Sequence, residues 1–396
     1  MTLSKKTVVL CVTGGIAAYK AADLTSKLIH ADAEVRVLMT QSATQFITPI
    51  TFETLSSHRA VVDTFDRNFP WEVEHISLAK AADVFVIAPA TANIIAKAAH
   101  GIADNMVTTT LLATKAPVVI APAMNTAMFD NSVTQQNLQR LREIGYYIVP
   151  PNSGRLACGD TGRGKLADTA TILRYIEQAV TPQDLQGRHI LVTAGPTQEA
   201  LDPVRYLSNH SSGKQGFAIA NRAAIRGADV TLISGSTALT PPEGVKYIPI
   251  ISARDMYDAA ISLADTQDFI IKAAAVGDYR PAEPATEKLK KQADSLTVPL
   301  IRNPDILAEL GRRKRPGQLL CGFAMETQRL LENASDKLRR KNCDMLVANS
   351  LREEGAGFQT DTNRVILLYA DGTQENLPLM TKEALADQIL NRLLAL

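Results

Sequence analysis

GRHILVTAGPTQEALDPVRYLSNHSSGK, residues 187–214, opens on an apolar strand pattern over 189–193 and passes into the turn Ala194-Gly195-Pro196-Thr197. A polar arm follows over 202–214, then a helical pattern over 215–226 and a second strand over 229–234. Strand, glycine-containing loop, helix, strand is the order in which a doubly wound sheet binds phosphates, because backbone N–H groups at a helix start favour anions. The chain begins with a tighter version: strand over 7–12, turn Thr13-Gly14-Gly15, helix over 16–30 and strand over 34–39. Two such beginnings predict an α/β protein of two doubly wound, Rossmann-like domains, over 1–180 and 187–396. The polar stretch 181–186, with one proline, reads as the linker between them.

Bulk properties agree with two cores. At 396 residues, 46% of them apolar, the chain exceeds one ordinary domain and has ample material to bury. A net charge of +1 excludes the electrostatic footprint of a nucleic-acid binder. The four cysteines, Cys11, Cys158, Cys321 and Cys343, show neither CxxC spacing nor a disulfide framework, and no apolar run approaches a membrane span. A cytoplasmic protein acting on small molecules, without nucleic-acid or membrane partners, is expected.

In the first half, three successive strand ends carry polar turns. These are Thr13-Gly14-Gly15, then Met39-Thr40-Gln41-Ser42, then Pro89-Ala90-Thr91-Ala92-Asn93 after a strand over 83–88. The first lacks the full GxGxxG spacing, and a tight turn without a ligand explains it equally well. Three together predict one crevice for a phosphate and a ring, as in a nucleotide or flavin site. A fourth strand, over 118–121, ends in Pro122-Ala123-Met124-Asn125-Thr126-Ala127-Met128. The Asn125 amide can hold a carboxylate, and the same spacing fits a helix N-cap. The glycine-rich stretch 152–165 reads as a long loop of the lid or binding type, with Cys158 as an acid, a nucleophile or an idle thiol. His75 opens a short helical pattern, and no histidine has metal spacing.

In the second half, the arm over 202–210 is too polar for a core helix and reads as a substrate or dimer arm. A strand over 268–275 runs into Val276-Gly277-Asp278, where an Asp can accept from a ribose or cap a turn. Glu287-Lys288-Leu289-Lys290-Lys291 is a basic run that can meet a triphosphate or simply be solvated. Asn303-Pro304-Asp305-Ile306 predicts a helix start with proline near its first position. Lys337, Arg340 and Lys341 fall on one helix face.

Thr13-Gly14-Gly15-Ile16-Ala17, His75-Ile76, Pro89-Ala90-Thr91-Ala92-Asn93, Pro122-Ala123-Met124-Asn125 and Ala157-Cys158-Gly159-Asp160 together resemble the flavin-dependent cysteine decarboxylases, a flavodoxin-like three-layer fold. Continued through Ser208-Asn209-His210-Ser211-Ser212-Gly213-Lys214, the match is similar to the bifunctional decarboxylase–ligase family of coenzyme A synthesis. For the first half the resemblance implies FMN against Thr13, Gly14, Gly15, Thr40, Pro89, Ala90, Thr91 and Asn93. It implies His75 as base or positioner, Asn125 and Met128 at the substrate, and Cys158 as the acid. For the second half it implies Mg2+ and CTP, with 4′-phosphopantothenate and L-cysteine as the substrates joined. CTP is expected against Ala273, Ala274, Asp278, Lys288, Asn303, Pro304, Asp305, Ile306, Phe323, Lys337 and Lys341, and the acyl chemistry against Asn209 and Lys288. A homo-oligomer is implied as well, while no metal ligands are.

Some positions depart from the family pattern. Thr13 stands where Ser is commoner, Lys165 and Leu166 where Arg and Met are usual, Gly277 where Ala is usual, and Lys272 where the strand end is small and apolar. The changes at Lys272 and Gly277 are expected to loosen contacts at the nucleotide edge. Two other readings compete: a non-catalytic flavin-binding regulator, and an NAD(P)-dependent oxidoreductase. The absence of GxGxxG weighs against the latter.

Overall fold

The computed structural model describes residues 3–65, 73–157, 159–290, 296–326, 330–350 and 360–396. The chain divides into two compact units, Met1–Pro182 and Gln183–Leu396.

In the first unit, β1 (Thr7–Val12), β2 (Glu34–Met39), β3 (Val84–Ala90), β4 (Val118–Pro122) and β5 (Tyr147–Ile148) form one parallel sheet of order β2-β1-β3-β4-β5. The run Val8–Val12 is buried throughout, as required of a strand covered on both faces. The helix Lys20–His30 covers one face with Ala21, Leu24, Thr25 and Leu28, an i, i+3, i+4, i+7 stripe. Each such Leu removed from water contributes about 1.5–3 kcal/mol. This strand order reverses direction between β1 and β3, so a crevice opens at their carboxyl ends.

The stretch 152–165 is not the long loop expected. It forms a β-hairpin of β6 (Asn152–Arg155) and β7 (Thr161–Lys165), and only 156–160 connect the two. Its glycines allow a close approach that other residues would block. Gly164, at φ +127°, accepts the Met124 N–H at 2.9 Å, and a Cβ there would lie 2.4 Å from the Met124 carbonyl oxygen.

The second unit begins with β8 (His189–Ala194), and β9 (Gln198–Ala200) pairs with β10 (Tyr206–Ser208) to make the expected arm a short hairpin. Then come β11 (Asp229–Ser234), β12 (Lys246–Pro249), β13 (Phe269–Lys272), β14 (Tyr279–Pro281), β15 (Leu300–Arg302) and β16 (Leu319–Glu326). The last strands are β17 (Met345–Ser350), β18 (Thr362–Tyr369) and β19 (Gln374–Thr381). The main sheet runs β12-β11-β8-β13-β16-β17-β18-β19, parallel up to β17 and antiparallel beyond. Its parallel part has the dinucleotide-fold order, with the switch point between β8 and β13. The helix Lys382–Ala395 folds back on the helix Lys214–Ile225, where the Arg222–Asp387 pair at 2.9 Å joins them.

Three local expectations are corrected. The linker is not free from Gln183 onward: Leu185 is fully buried in the second core and Arg226 pairs with Asp184 at 2.7 Å. The strand over 268–275 ends at Lys272: beyond the Ala273 N–H bond to the Thr193 carbonyl the ladder breaks, the Ala274 N–H turning to the Thr193 hydroxyl, and resumes as a single bridge at Ala275. Pro304 lies outside the helix Ile306–Arg313, whose N-cap is Asp305, its carboxylate accepting from the Ala308 N–H at 3.0 Å. Among the described residues no helix is long and apolar enough to cross a membrane.

Candidate functional site

The crevice of the first unit is built by hydroxyls that are turned inward. Thr13 is buried, its Oγ1 donating to the Pro89 carbonyl at 2.6 Å and accepting from the Thr91 N–H at 3.2 Å. One side chain thus ties the end of β1 to the end of β3. Thr91 caps the helix Ala92–His100 by accepting from Ile94, and Thr40 accepts from the Ala43 N–H at 3.2 Å. These threonines hold the turns in place. The turns pack closely: a Cβ on Gly14 would lie 2.4 Å from the Ser42 Cβ, while one on Gly15 would meet Thr91 Cγ2 at 3.6 Å. Ser42, the last residue of the polar turn after β2, is thus brought against the turn after β1. Asn93 is exposed at the start of its helix.

Asn125 is the helix N-cap that its spacing allows, and its amide is engaged on the other side by the chain's own carboxylate. Its Oδ1 caps the helix Thr126–Asp130 through the Ala127 N–H at 2.8 Å, and its Nδ2 donates to the Asp160 carboxylate at 2.7 Å. The amide therefore already grips a carboxylate, one carried by the β6–β7 connection. Arg163 of the same hairpin pairs with Asp130 at 2.8 Å, so two contacts dock it on this helix. Met128 is half exposed. His75 is half-buried on the helix Glu74–Ala81, which packs against β1 and the helix Met106–Ala113. Cys158 lies outside the described residues.

In the second unit the switch point is held by backbone and amide contacts. Pro196 bridges Ala275, the Gly277 N–H reaches Thr197 Oγ1 at 2.9 Å, and Asn209 Nδ2 donates to the Ala275 carbonyl at 3.0 Å. Asn303 Nδ2 donates to the Gly277 carbonyl at 2.8 Å, and its Oδ1 accepts from Arg280 at 2.9 Å. Behind them Gly235 is wedged against the turn after β8: a Cβ there would lie 1.8 Å from the Pro196 carbonyl oxygen, a clash of backbone on backbone. Gly235→Ala is therefore expected to lower the melting temperature of this unit by roughly 5–10 °C in calorimetry, the consequence of overpacking by about 1–3 kcal/mol. An unchanged transition would show that the turn yields freely.

Two cavities of about 380 Å³ each open at this edge. One runs from Asn209 and the start of the helix Lys214–Ile225 past Ala273, Ala274 and Asp278 to Phe323 and Lys337. The other is lined by Asp278, Asn303, Pro304, Asp305, Ile306, Lys337 and Lys341. The structure thus gathers eleven of the expected second-unit positions around two adjoining cavities, with Asp278 and Lys337 common to both. Lys341 sits just past the helix Leu330–Arg340 rather than on its face, because the helix ends at Arg340, and it bonds to Asp305. Burial works to raise the Asp305 carboxyl, yet Lys341 and the Ala308 N–H hold it below the usual carboxylate range. Lys337 Nζ donates to the Phe323 carbonyl at 2.9 Å. Lys288 lines neither cavity and is exposed. Its neighbour Leu289 is clasped by buried Asp202 (N–H to Oδ2, 3.1 Å) and by Arg205, which donates to the Leu289 carbonyl at 2.8 Å. Lys272 and Gln215 are among the lining residues outside the expected set; Gln215 Oε1 is buried with no partner among the described residues.

Residues 1–181 match the family model described as Flavoprotein, and residues 185–396 match the DNA/pantothenate metabolism flavoprotein C-terminal domain. The chain is 47% identical to the coenzyme A biosynthesis bifunctional protein CoaBC of Bacillus subtilis, across 100% of this chain and 98% of that one. It is 44% identical to the protein of the same name from Escherichia coli K12, across 99% and 98%. A crystal structure of the C-terminal domain of a CoaBC protein is 45% identical over 53% of this chain and 95% of that one, with a TM-score of 0.46. None of this lends support to a regulatory flavoprotein without catalysis. A flavoprotein-type unit and a pantothenate-metabolism unit in one polypeptide, matched end to end by these relatives, place the chain in the family of coenzyme A biosynthesis bifunctional proteins.

Proposed function

We infer that the second unit joins cysteine to 4′-phosphopantothenate at the expense of CTP, and that the first unit decarboxylates the product to 4′-phosphopantetheine. The observation that carries this reading is the pair of cavities at the β8–β13 switch point, where lysines and aspartates line the space a nucleotide would fill. A carboxylate is a poor electrophile, so it must first take a good leaving group. Attack of the 4′-phosphopantothenate carboxylate on the α-phosphorus of CTP forms an acyl-cytidylate and releases pyrophosphate; the cysteine amine then displaces CMP. Lys337 and Lys341 neutralise charge on the phosphates, Asn303 to Ile306 and Phe323 border the nucleotide, and Asp278 is positioned to accept from its sugar or base. Ala273 and Ala274 leave room beside the phosphates, and Asn209 steadies the acyl oxygens at the cavity rim. Magnesium enters with CTP as its complex, held through phosphates in the usual way.

For the first unit the residues present fit FMN: a turn with no room for a Cβ at Gly14, backbone donors from Gly14 to Ile16 and at the start of the helix Ala92–His100, and hydroxyls that pin those turns. When bound, FMN supplies reversible two-electron oxidation, which lets a cysteine-derived carboxylate lose CO2 without forming an unstabilised carbanion. Asn125 exchanges Asp160 for the substrate carboxylate, Met128 borders the chain of the substrate, His75 positions or takes its proton, and Cys158 returns a proton. Gly14→Ala is expected to yield protein with at least tenfold weaker flavin binding, read from the visible absorbance of the purified chain. Full flavin content would remove this turn from the site.

The reading extends to a cytoplasmic homo-oligomer. Ile16, Tyr19 and Ile50, exposed at 62%, 60% and 66% on the first unit, support association. The direct test supplies the full chain with 4′-phosphopantothenate, cysteine and magnesium–CTP, and measures CMP and CO2. One of each per product is expected. CMP release without added cysteine dependence, or none at all, overturns the ligase; CMP without CO2 overturns the decarboxylase.

A further inference from the structure

Lys272 is the last residue of β13, in register with Thr193 of β8 on one side and Gly322 of β16 on the other. It therefore stands at the switch point itself, and it lines both cavities. The lysines around it have partners: Lys341 has the Asp305 carboxylate and Lys337 the Phe323 carbonyl. Among the described residues Lys272 Nζ makes one hydrogen bond, a long one of 3.3 Å to the carbonyl of Ala274 in its own loop, and no ion pair. A largely buried ammonium with three donors and no carboxylate in ion-pair contact is costly, and it becomes favourable when an anion fills the cavity. A side chain that merely loosened the nucleotide edge would be turned away from it.

We propose that Lys272 is a phosphate-binding cation of this chain, a third lysine beside Lys337 and Lys341 that meets the phosphate chain of the nucleotide. The proposal rests on the nucleotide reading of the second unit and deepens it. The nucleotide is the source of the phosphate, because Lys272 shares the second cavity with Asp278, Lys337 and Lys341. The local charges give the proposal a pH signature. Burial first, then Lys337, pulls the Lys272 ammonium down to about 8, against the opposing influence of the Asp305 and Asp278 carboxylates. A bound polyphosphate raises it again. The sign follows: affinity from this contact is complete below pH 8 and is lost as pH rises through the higher value of the complex.

The test is calorimetric titration of the full-length chain with magnesium–CTP at pH 8, in two buffers of different ionisation enthalpy. Wild type is expected to take up about half a proton per nucleotide bound, since Lys272 is half neutral beforehand. Lys272→Met should bind about tenfold to a hundredfold more weakly and take up none. Lys272→Arg, which keeps the charge but does not titrate, should retain most of the affinity while losing the uptake, and it carries the test if the Met variant fails to fold. A parallel titration with 4′-phosphopantothenate alone should be nearly the same in wild type and variants. Unchanged CTP binding, proton uptake that survives the substitutions, or a loss confined to 4′-phosphopantothenate would each overturn the proposal. Failure of the wild-type chain to bind CTP would instead overturn the functional reading of the unit.

Discussion

Lys288→Gln is expected to reduce CTP-driven ligation by a factor on the order of 10² to 10³, with CO2 release from supplied phosphopantothenoylcysteine unchanged. The size is that expected for removing one cation that stabilises charge gathering on phosphate oxygens as the acyl-cytidylate forms. Lys288 is exposed and lines neither cavity in this structure, so its contribution requires movement toward the bound nucleotide. The residue beside it is held at both backbone groups. Asp202 holds the adjacent Leu289 N–H, and Arg205 holds the Leu289 carbonyl. Arg205 in turn keeps the Asp202 carboxyl far below the usual carboxylate range, so the clasp stays charged under all ordinary conditions. A cation used only in the transition state lowers kcat when lost and leaves CTP affinity nearly intact. The measurement is CMP release at saturating substrates beside a separate CO2 assay. Loss of both activities would mean that the two units do not act separately, and a large rise in the KM for CTP with kcat preserved would make Lys288 a ground-state contact.

The repeated strand–turn–helix beginnings were readable because each is local: apolar runs such as 8–12 and 190–194 need no partner to be recognised, and glycine or threonine after them marks the turn. What the pattern does not carry is which distant residue completes each turn. The Thr13 hydroxyl is engaged 76 residues away at Pro89, and Asn209 braces Ala275 across 66 residues. The resemblance puts both side chains at a ligand; in the structure each also bonds a distant backbone carbonyl. The stretch 152–165 was read as a loop because glycine argues against a strand, whereas here Gly164 is in the sheet hairpin through its close approach to Met124. At Lys272 residue type alone suggests a disturbance, lysine being foreign to a small apolar strand end; its place as the last residue of β13, lining both cavities, is what the proposed phosphate contact rests on.

Cys158→Ser should lower the rate of 4′-phosphopantetheine formation by about 10² to 10⁴-fold, yet still release close to one CO2 per chain in the first turnover. The argument is the order of bond changes. Loss of CO2 comes before the proton is returned, so removing the proton donor stops the cycle after the carboxylate has gone. Serine occupies almost the same volume but is a far weaker acid than a thiol, whose ordinary pKa is about 8.5. The residue belongs to the connection between β6 and β7, whose described members bear on the site: Asp160 occupies the Asn125 amide at 2.7 Å, and the Leu156 N–H bonds the Asp160 carbonyl at 2.8 Å. The stalled enzyme should hold a decarboxylated, unreduced form of the substrate, detectable by mass spectrometry after acid quench, while CTP-dependent ligation by the second unit continues at the wild-type rate. Steady turnover by the serine variant would assign the proton to another group, with His75 the first to test. Absence of even the first equivalent of CO2 would place Cys158 in the step before carboxylate loss.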